Sequence, residues 1–117
     1  MKNAINKVNL SGYVGAEVSY KELNNKQKVA RVNLAVNEYF KDRKGEESKK
    51  THWFLLTFWN EKAEQAQKEI SKGSFITVEA RLQSGSYADK NGEKRYTTDI
   101  IVQQLEVAPQ TVLSNEN

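Results

Sequence analysis

The sequence predicts an all-β domain with a single helix, its strands curled into a small barrel. Three observations lead there. Apolar and polar residues alternate over five separate stretches, the period of a half-buried strand. One stretch, between Asn60 and Gly73, repeats its apolar residues at helical spacing instead. Polar clusters at Asn24-Asn25-Lys26, Lys41 to Lys50 and Asn91-Gly92 fall between alternating stretches, where turns belong.

The first strand carries Val8, Leu10 and Val14 against Lys7, Asn9, Ser11 and Tyr13. Gly12 and Gly15 mark points where that strand bends or another backbone comes close. Asn24-Asn25-Lys26 tolerates the left-handed conformation of a turn centre. The second strand puts Ala30, Val32, Leu34 and Val36 on one face and Arg31, Asn33, Ala35 and Asn37 on the other. The run from Lys41 to Lys50 is too charged to pack, which predicts a solvated hairpin loop before the third strand, Thr51 to Trp59. Asn60 is then a helix cap, Glu61 and Glu64 suit the positive end, and Lys68 and Lys72 the negative end. Ala63, Ala66, Gln67 and Ile70 form a narrow apolar stripe, with Gly73 as the stop. Ile76, Val78, Ala80 and Leu82 alternate through a fourth strand, Asn91-Gly92 is the strongest hairpin signal, and a fifth strand covers about Thr97 to Val107. Three strands, a helix and two strands is the connectivity of the five-stranded OB barrel, with the helix between strands 3 and 4. A parallel sheet is not expected, because the chain lacks helices for the crossovers.

Composition bounds the function. A chain of 117 residues makes one domain, expected over residues 1–108, with a short flexible tail over 109–117. The net charge of +3 is too mild to identify a partner by itself, so the clustering of charge has to. No apolar run approaches membrane-spanning length and the amino terminus has no apolar core of a leader, which makes a soluble cytoplasmic protein the default. One histidine, no cysteine and no glycine-rich phosphate loop leave the common chemistries without parts, so no enzyme, metal or cofactor is expected. His52 shares the strand face of Phe54, the place of a satisfied histidine at the edge of a core or interface.

The third strand is the most informative segment. Phe54, Leu56 and Phe58 point one way, and Trp53, Leu55, Thr57 and Trp59 the other. A chain this short and polar does not bury both faces. Two indole rings about 20 Å apart then lie on an open sheet flanked by lysines, which is what stacking of nucleic-acid bases requires.

At this point a family resemblance becomes specific. Asn6-Lys7-Val8-x-Leu10-x-Gly12-x-x-Gly15, then Leu34-Ala35-Val36 followed by an aromatic and Lys41-Asp42, resemble the opening strands of bacterial single-stranded DNA-binding proteins. Thr51-x-Trp53, Gly73-Ser74 with Val78-Glu79-x-Arg81-Leu82, and Asp89-x-x-Gly92-x-x-Arg95-Tyr96-Thr97-Thr98 are similar to the rest of that pattern, in order. The resemblance covers about residues 5 to 107. It implies an OB fold, a homo-oligomer (a tetramer, with a dimer as the variant) and binding of single-stranded DNA irrespective of sequence, in replication, recombination or repair. The family's four base-stacking positions fall on Phe40, Trp53, Trp59 and Tyr87, all aromatic here. Tyr13 and Tyr39 are read as ordinary sheet aromatics or interface contacts.

Phosphates need cations beside those rings. Lys7, Arg31, Lys41, Lys49, Lys50, Arg81, Lys90, Lys94 and Arg95 are the candidates, Arg31 first because it shares the non-core face of its strand. Arg95 has a competing role as an ion-pair partner of Asp89, and Lys49 and Lys50 are balanced by Glu46 and Glu47. The chain departs from the family in four places, the first being His52 before and Phe54 after Trp53, where many members carry Glu and His. Gln83-Ser84-Gly85-Ser86 replaces a basic cluster before Tyr87, Leu55 stands where a base is common, and Ser114-Asn115-Glu116-Asn117 lacks the acidic tip that recruits repair enzymes, so that recruitment is not expected. The alternative reading is a primosomal-type OB accessory protein whose aromatic face serves protein–protein contact.

Overall fold

The structure is a computed structural model and describes residues 4–109. Its elements are β1 (Val8–Val14), β2 (Ser19–Glu22), β3 (Lys28–Lys41), β4 (Glu47–Trp59), α1 (Glu61–Glu69), β5 (Phe75–Ala88) and β6 (Lys94–Val107). Strands β1, β5, β6, β4 and β3 close on one another in that order, and β2 extends the sheet beyond β3. The result is the expected five-strand barrel. The additional strand, β2, folds back along β3 through Leu23–Gln27, with Lys26 left-handed at φ 68° where the turn demands it.

The core comes from the faces that alternation selects. Leu34, Leu56, Phe58, Ile76, Val32 and Val78 are its largest fully buried side chains. Ala63, Ala66 and Ile70 of the helical segment pack against them, whereas Gln67, expected on the same stripe, is exposed. Gly12 fits as expected: a Cβ there would collide with the carbonyl of Ala35, so β1 and β3 approach backbone to backbone.

Four expectations change. The barrel closes through one parallel pairing, Leu56 with Ile100 and Thr57 with Ile101, although every other pair is antiparallel. The helix and β5, which lie between those partners, supply the crossover that parallel pairing needs. Asn60 is not a side-chain cap: at φ 51° its amide oxygen accepts from Lys28 N at 3.0 Å and its own N–H donates to the Lys28 carbonyl. It holds the N-cap position, its carbonyl accepting from Glu64 N at 3.0 Å, but its side chain closes the β3–β4 ladder instead of capping the helix. Gly73 does not stop the helix either. The helix ends at Glu69 with Ile70 extended, and Gly73, at φ 92°, donates to the Val14 carbonyl in the turn into β5.

The fourth change matters most for function. Half of the charged run Lys41 to Lys50 is strand, since β3 and β4 remain paired out to Lys41 and Glu47. Only residues 42–46 turn. Asp42 Oδ1 accepts from Lys44 N and Glu46 N, and Gly45 takes φ 80°. The β5–β6 hairpin repeats the device, with Asp89 Oδ1 accepting from Asn91 N and Glu93 N and Gly92 at φ 80°. Both turns are Asp-x-x-Gly-Glu, and both end long two-stranded arms that outrun the barrel. The flexible tail expected over 109–117 lies, apart from Pro109, outside the described residues.

Candidate nucleic-acid interface

The outer face of β4 is open at its centre and closed near its end. Trp53 is 61% exposed and Leu55 half exposed, but Thr57 is buried to 6% and Trp59 only partly accessible. Trp59 stands opposite the buried Val29, at the end of the ladder. Trp53 is therefore the most exposed, and Trp59 the least exposed, of the four predicted aromatics.

Trp53 is also held. A Cβ at Gly15 would lie 2.5 Å from Cζ3 and 2.7 Å from Cη2 of its ring. The indole edge thus rests on the bare backbone of Gly15 between β1 and β2, while most of the side chain stays exposed. Fixing a ring before a ligand arrives removes the entropy of ordering it.

Phe40 is 45% exposed near the tip of the β3–β4 arm and Tyr87 is 57% exposed on the β5–β6 arm. The register separates the first of these from Trp53. Trp53 is paired with Ala35, so Ala35, Asn37 and Tyr39 share its face, while Phe40 lies on the opposite face with Val36 and Glu38. Tyr39, assigned above to an ordinary sheet position, is exposed on the Trp53 face. Tyr87 pairs across its hairpin with Arg95, and Tyr96, also strongly exposed, carries the Lys94 ammonium 5.5 Å from its ring centroid. Tyr13, Tyr39 and Tyr96 are further exposed rings that sequence reasoning did not count among the candidates. Their parity was legible, but their exposure among the described residues was not.

The cations divide into two groups. Lys7 reaches Glu79 at 3.6 Å. Arg95 Nε donates to Asp89 Oδ2 at 2.9 Å and its guanidinium lies 3.7 Å from Glu93, so the competing ion-pair role is the one the structure gives it. The backbone N–H of Glu93, with the Arg95 guanidinium and the Asn91 N–H, holds the Asp89 carboxyl below its ordinary 3.8. Arg31, Lys41, Lys49, Lys50, Arg81, Lys90 and Lys94 have no acidic partner among the described residues, although Arg81 donates to Gln83 Oε1 at 3.0 Å. Lys49 and Lys50 are thus free of Glu46 and Glu47. His52 hydrogen-bonds Glu38 at 2.9 Å and stacks beside Phe54, a satisfied histidine as expected. No helix among the described residues is long and apolar enough to cross a membrane.

A closed five-strand barrel with a helix between the third and fourth barrel strands, exposed rings and unpaired cations on long arms matches one family. Residues 5–108 fit the Single-strand binding protein family. The chain belongs to that family. Single-stranded DNA-binding protein 1 of Chlorobaculum tepidum is 32% identical to it over 108 residues, covering 92% of this chain and 67% of that protein. Among solved structures, a Plasmodium falciparum SSB in complex with ssDNA superposes with a TM-score of 0.79 at 29% identity, covering 93% of this chain and 99% of that one. A deletion mutant of the single-stranded DNA-binding protein from Thermus aquaticus shares the fold with the same TM-score at 24% identity, over 91% of this chain and 51% of its own.

Proposed function

We propose that this chain binds single-stranded DNA without reading its sequence and protects it during replication, recombination or repair. Trp53 is the central stacking platform, with Tyr87 and Phe40 on the two arms and Trp59 as a minor contact. Arg31, Lys41, Lys49, Lys50, Arg81, Lys90 and Lys94 hold phosphates. Lys7 and Arg95 contribute less, because each already has a carboxylate. Residues 1–108 act as the binding domain, assembled into a cytoplasmic homo-oligomer, a tetramer in the preferred form.

The observation that carries this reading is Trp53, exposed and braced on Gly15 at the centre of an open sheet face. Membership of the family and the likeness to a protein solved with ssDNA support it. Each stacked base contributes on the order of 1–3 kcal/mol whichever base it is, because every base has a π-face.

The test is a titration of tryptophan fluorescence with oligo(dT) at two salt concentrations, with duplex of equal length as control. Quenching by oligo(dT) that weakens with salt, and little response to duplex, is expected. Trp53→Ala should lower affinity by roughly 5- to 100-fold. Should Trp53→Ala bind DNA like the parent and instead dissociate the oligomer, the aromatic face serves protein contact and the proposal fails.

A further inference from the structure

Strands β1 and β3 touch through only two residue pairs, Tyr13 with Ala35 and Val14 with Leu34. Before those pairs the strands fork. The fork opens a slot of about 260 Å3 on the outer face, floored by Gly12 and Ala35. Three rings form its rim. Tyr13 and Phe75 meet edge to face with centroids 4.9 Å apart, and Tyr39 stands across from them on β3. All three are exposed to solvent.

We propose that this slot takes one unstacked nucleobase of the bound single strand, extending the stacking surface from Trp53 to Tyr13. The inference rests on the single-stranded DNA reading above and adds a contact to it. Four observations favour this occupant. The slot is continuous with the Trp53 platform, because the pairing register lines up Trp53, Ala35, Tyr13 and Phe75 in one row across the sheet. At the usual strand spacing Trp53 and Tyr13 stand about 10 Å apart, with only the methyl group of Ala35 between them.

The lining also suits a base. No lysine, arginine, aspartate or glutamate lines it, so it offers no cation to a phosphate, while Ser11 and Asn37 supply polar groups. Asn37 Oδ1 accepts from Thr51 Oγ1 at 2.7 Å, which leaves its amide nitrogen as a donor. Size limits the occupant, since the slot is smaller than the roughly 300–1,000 Å3 of pockets that enclose a whole small ligand. A single flat ring with a polar edge fits. Finally, the ladder between β1 and β3 stops at the fork, so their facing peptide groups beyond it have no partner on the other strand.

The experiment compares the full chain with Tyr13→Leu, Tyr13→Phe and Trp53→Ala. Affinity for a labelled oligo(dT) of roughly 16 nucleotides, the upper site size of one OB fold, is read by anisotropy. The oligomeric state of each variant is measured alongside. Photo-cross-linking of the parent chain to the same oligonucleotide carrying 5-iodouracil identifies the residues that touch bases. Tyr13→Leu, which keeps the apolar bulk and removes the π-face, should weaken binding roughly 5- to 100-fold, and Tyr13→Phe should restore it. Cross-links should appear on Tyr13 or Tyr39.

Parental affinity in Tyr13→Leu, with cross-links on neither tyrosine, overturns the slot. Dissociation of the oligomer by Tyr13→Leu without loss of DNA affinity overturns it too, and makes the rings a subunit contact. The two readings fail separately: a Trp53→Ala variant that binds like the parent sinks the stacking proposal itself, whereas weakening by Trp53→Ala alone sinks only the slot. If Tyr13→Leu does not fold, the cross-link on the parent chain decides.

Discussion

Gly15 has no side chain, and the indole of Trp53 occupies the space one would take. The backbone there is not left-handed, so alanine is conformationally acceptable and only the ring has to move. Gly15→Ala should therefore leave the fold intact, shift the tryptophan emission and weaken oligo(dT) binding by roughly 5-fold, the low end for losing one stacked base. Parental emission and affinity together would show that Trp53 needs no brace. The exposure of Trp53 was legible because a strand has period two and this strand has aromatics on both faces. Its brace was not. Gly15 announced itself as a glycine, but a sequence does not say which ring lies over it. Arg95 illustrates the opposite case, since the Asp-x-x-Gly turn spacing made Asp89 visible as its competing partner in advance.

Among the elements, the two arms have the same physical design. Each tip is an aspartate that accepts two backbone N–H groups and a glycine at φ 80°, so the turn is fixed by side-chain chemistry rather than by burial. For Asp89 this has a definite pH dependence. Its folded-state carboxyl lies below the ordinary 3.8 because the Glu93 N–H, first of all, favours the charged form. The turn's contribution is thus complete above that ordinary value and is lost as pH falls through the lower folded value. Backbone amide shifts of Gly92 and Glu93, followed through acid titration, should report the loss. Asp89→Asn should remove that titration while keeping an amide oxygen as acceptor; a midpoint unchanged by this substitution would assign the transition to another group. The end of the β3–β4 arm was misread as loop because neither face of such a ribbon is buried, and hydrophobic periodicity records burial rather than pairing, whereas Asn91-Gly92 marked the β5–β6 arm as a hairpin. The helix ends were misread for a related reason. Asn60 and Gly73 have the right chemistry for caps, but pairing with Lys28 and Val14 takes precedence over capping.

For the molecule as a whole, the relevant quantity is how many phosphates it neutralises. Each one should add about −0.7 to the slope of log affinity against log salt for a single strand. Arg31→Ala should reduce that slope by about 0.7, uniformly across base compositions, whereas Arg95→Ala should change it less because Arg95 is engaged by Asp89 and Glu93. Equal slopes for the two variants would contradict the division of cations made from the ion pairs. The barrel, its strand order and its core faces were legible at this scale, since connectivity and alternation determine them together. What closes it was not, because a parallel seam of two residue pairs leaves no mark on local pattern.

That seam bears on how the protein assembles. The pairs at Leu56–Thr57 with Ile100–Ile101, and at Tyr13–Val14 with Leu34–Ala35, are the narrowest joints of the barrel, and the first joins segments separated by the helix and the whole of β5. Hairpins between neighbouring strands close short loops and form early, while a joint between distant segments must wait for a large loss of chain entropy. The β3–β4 and β5–β6 ribbons are then the early units of folding, and joining them is the slow step. In the finished protein a joint of two residue pairs between distant segments is expected to open before the long ribbons do. Of the adjacent amides of Ile100 and Ile101, the one directed at β4 would exchange with solvent through that motion ahead of the one directed at β5, so the barrel loosens along a line between its two arms and not at random.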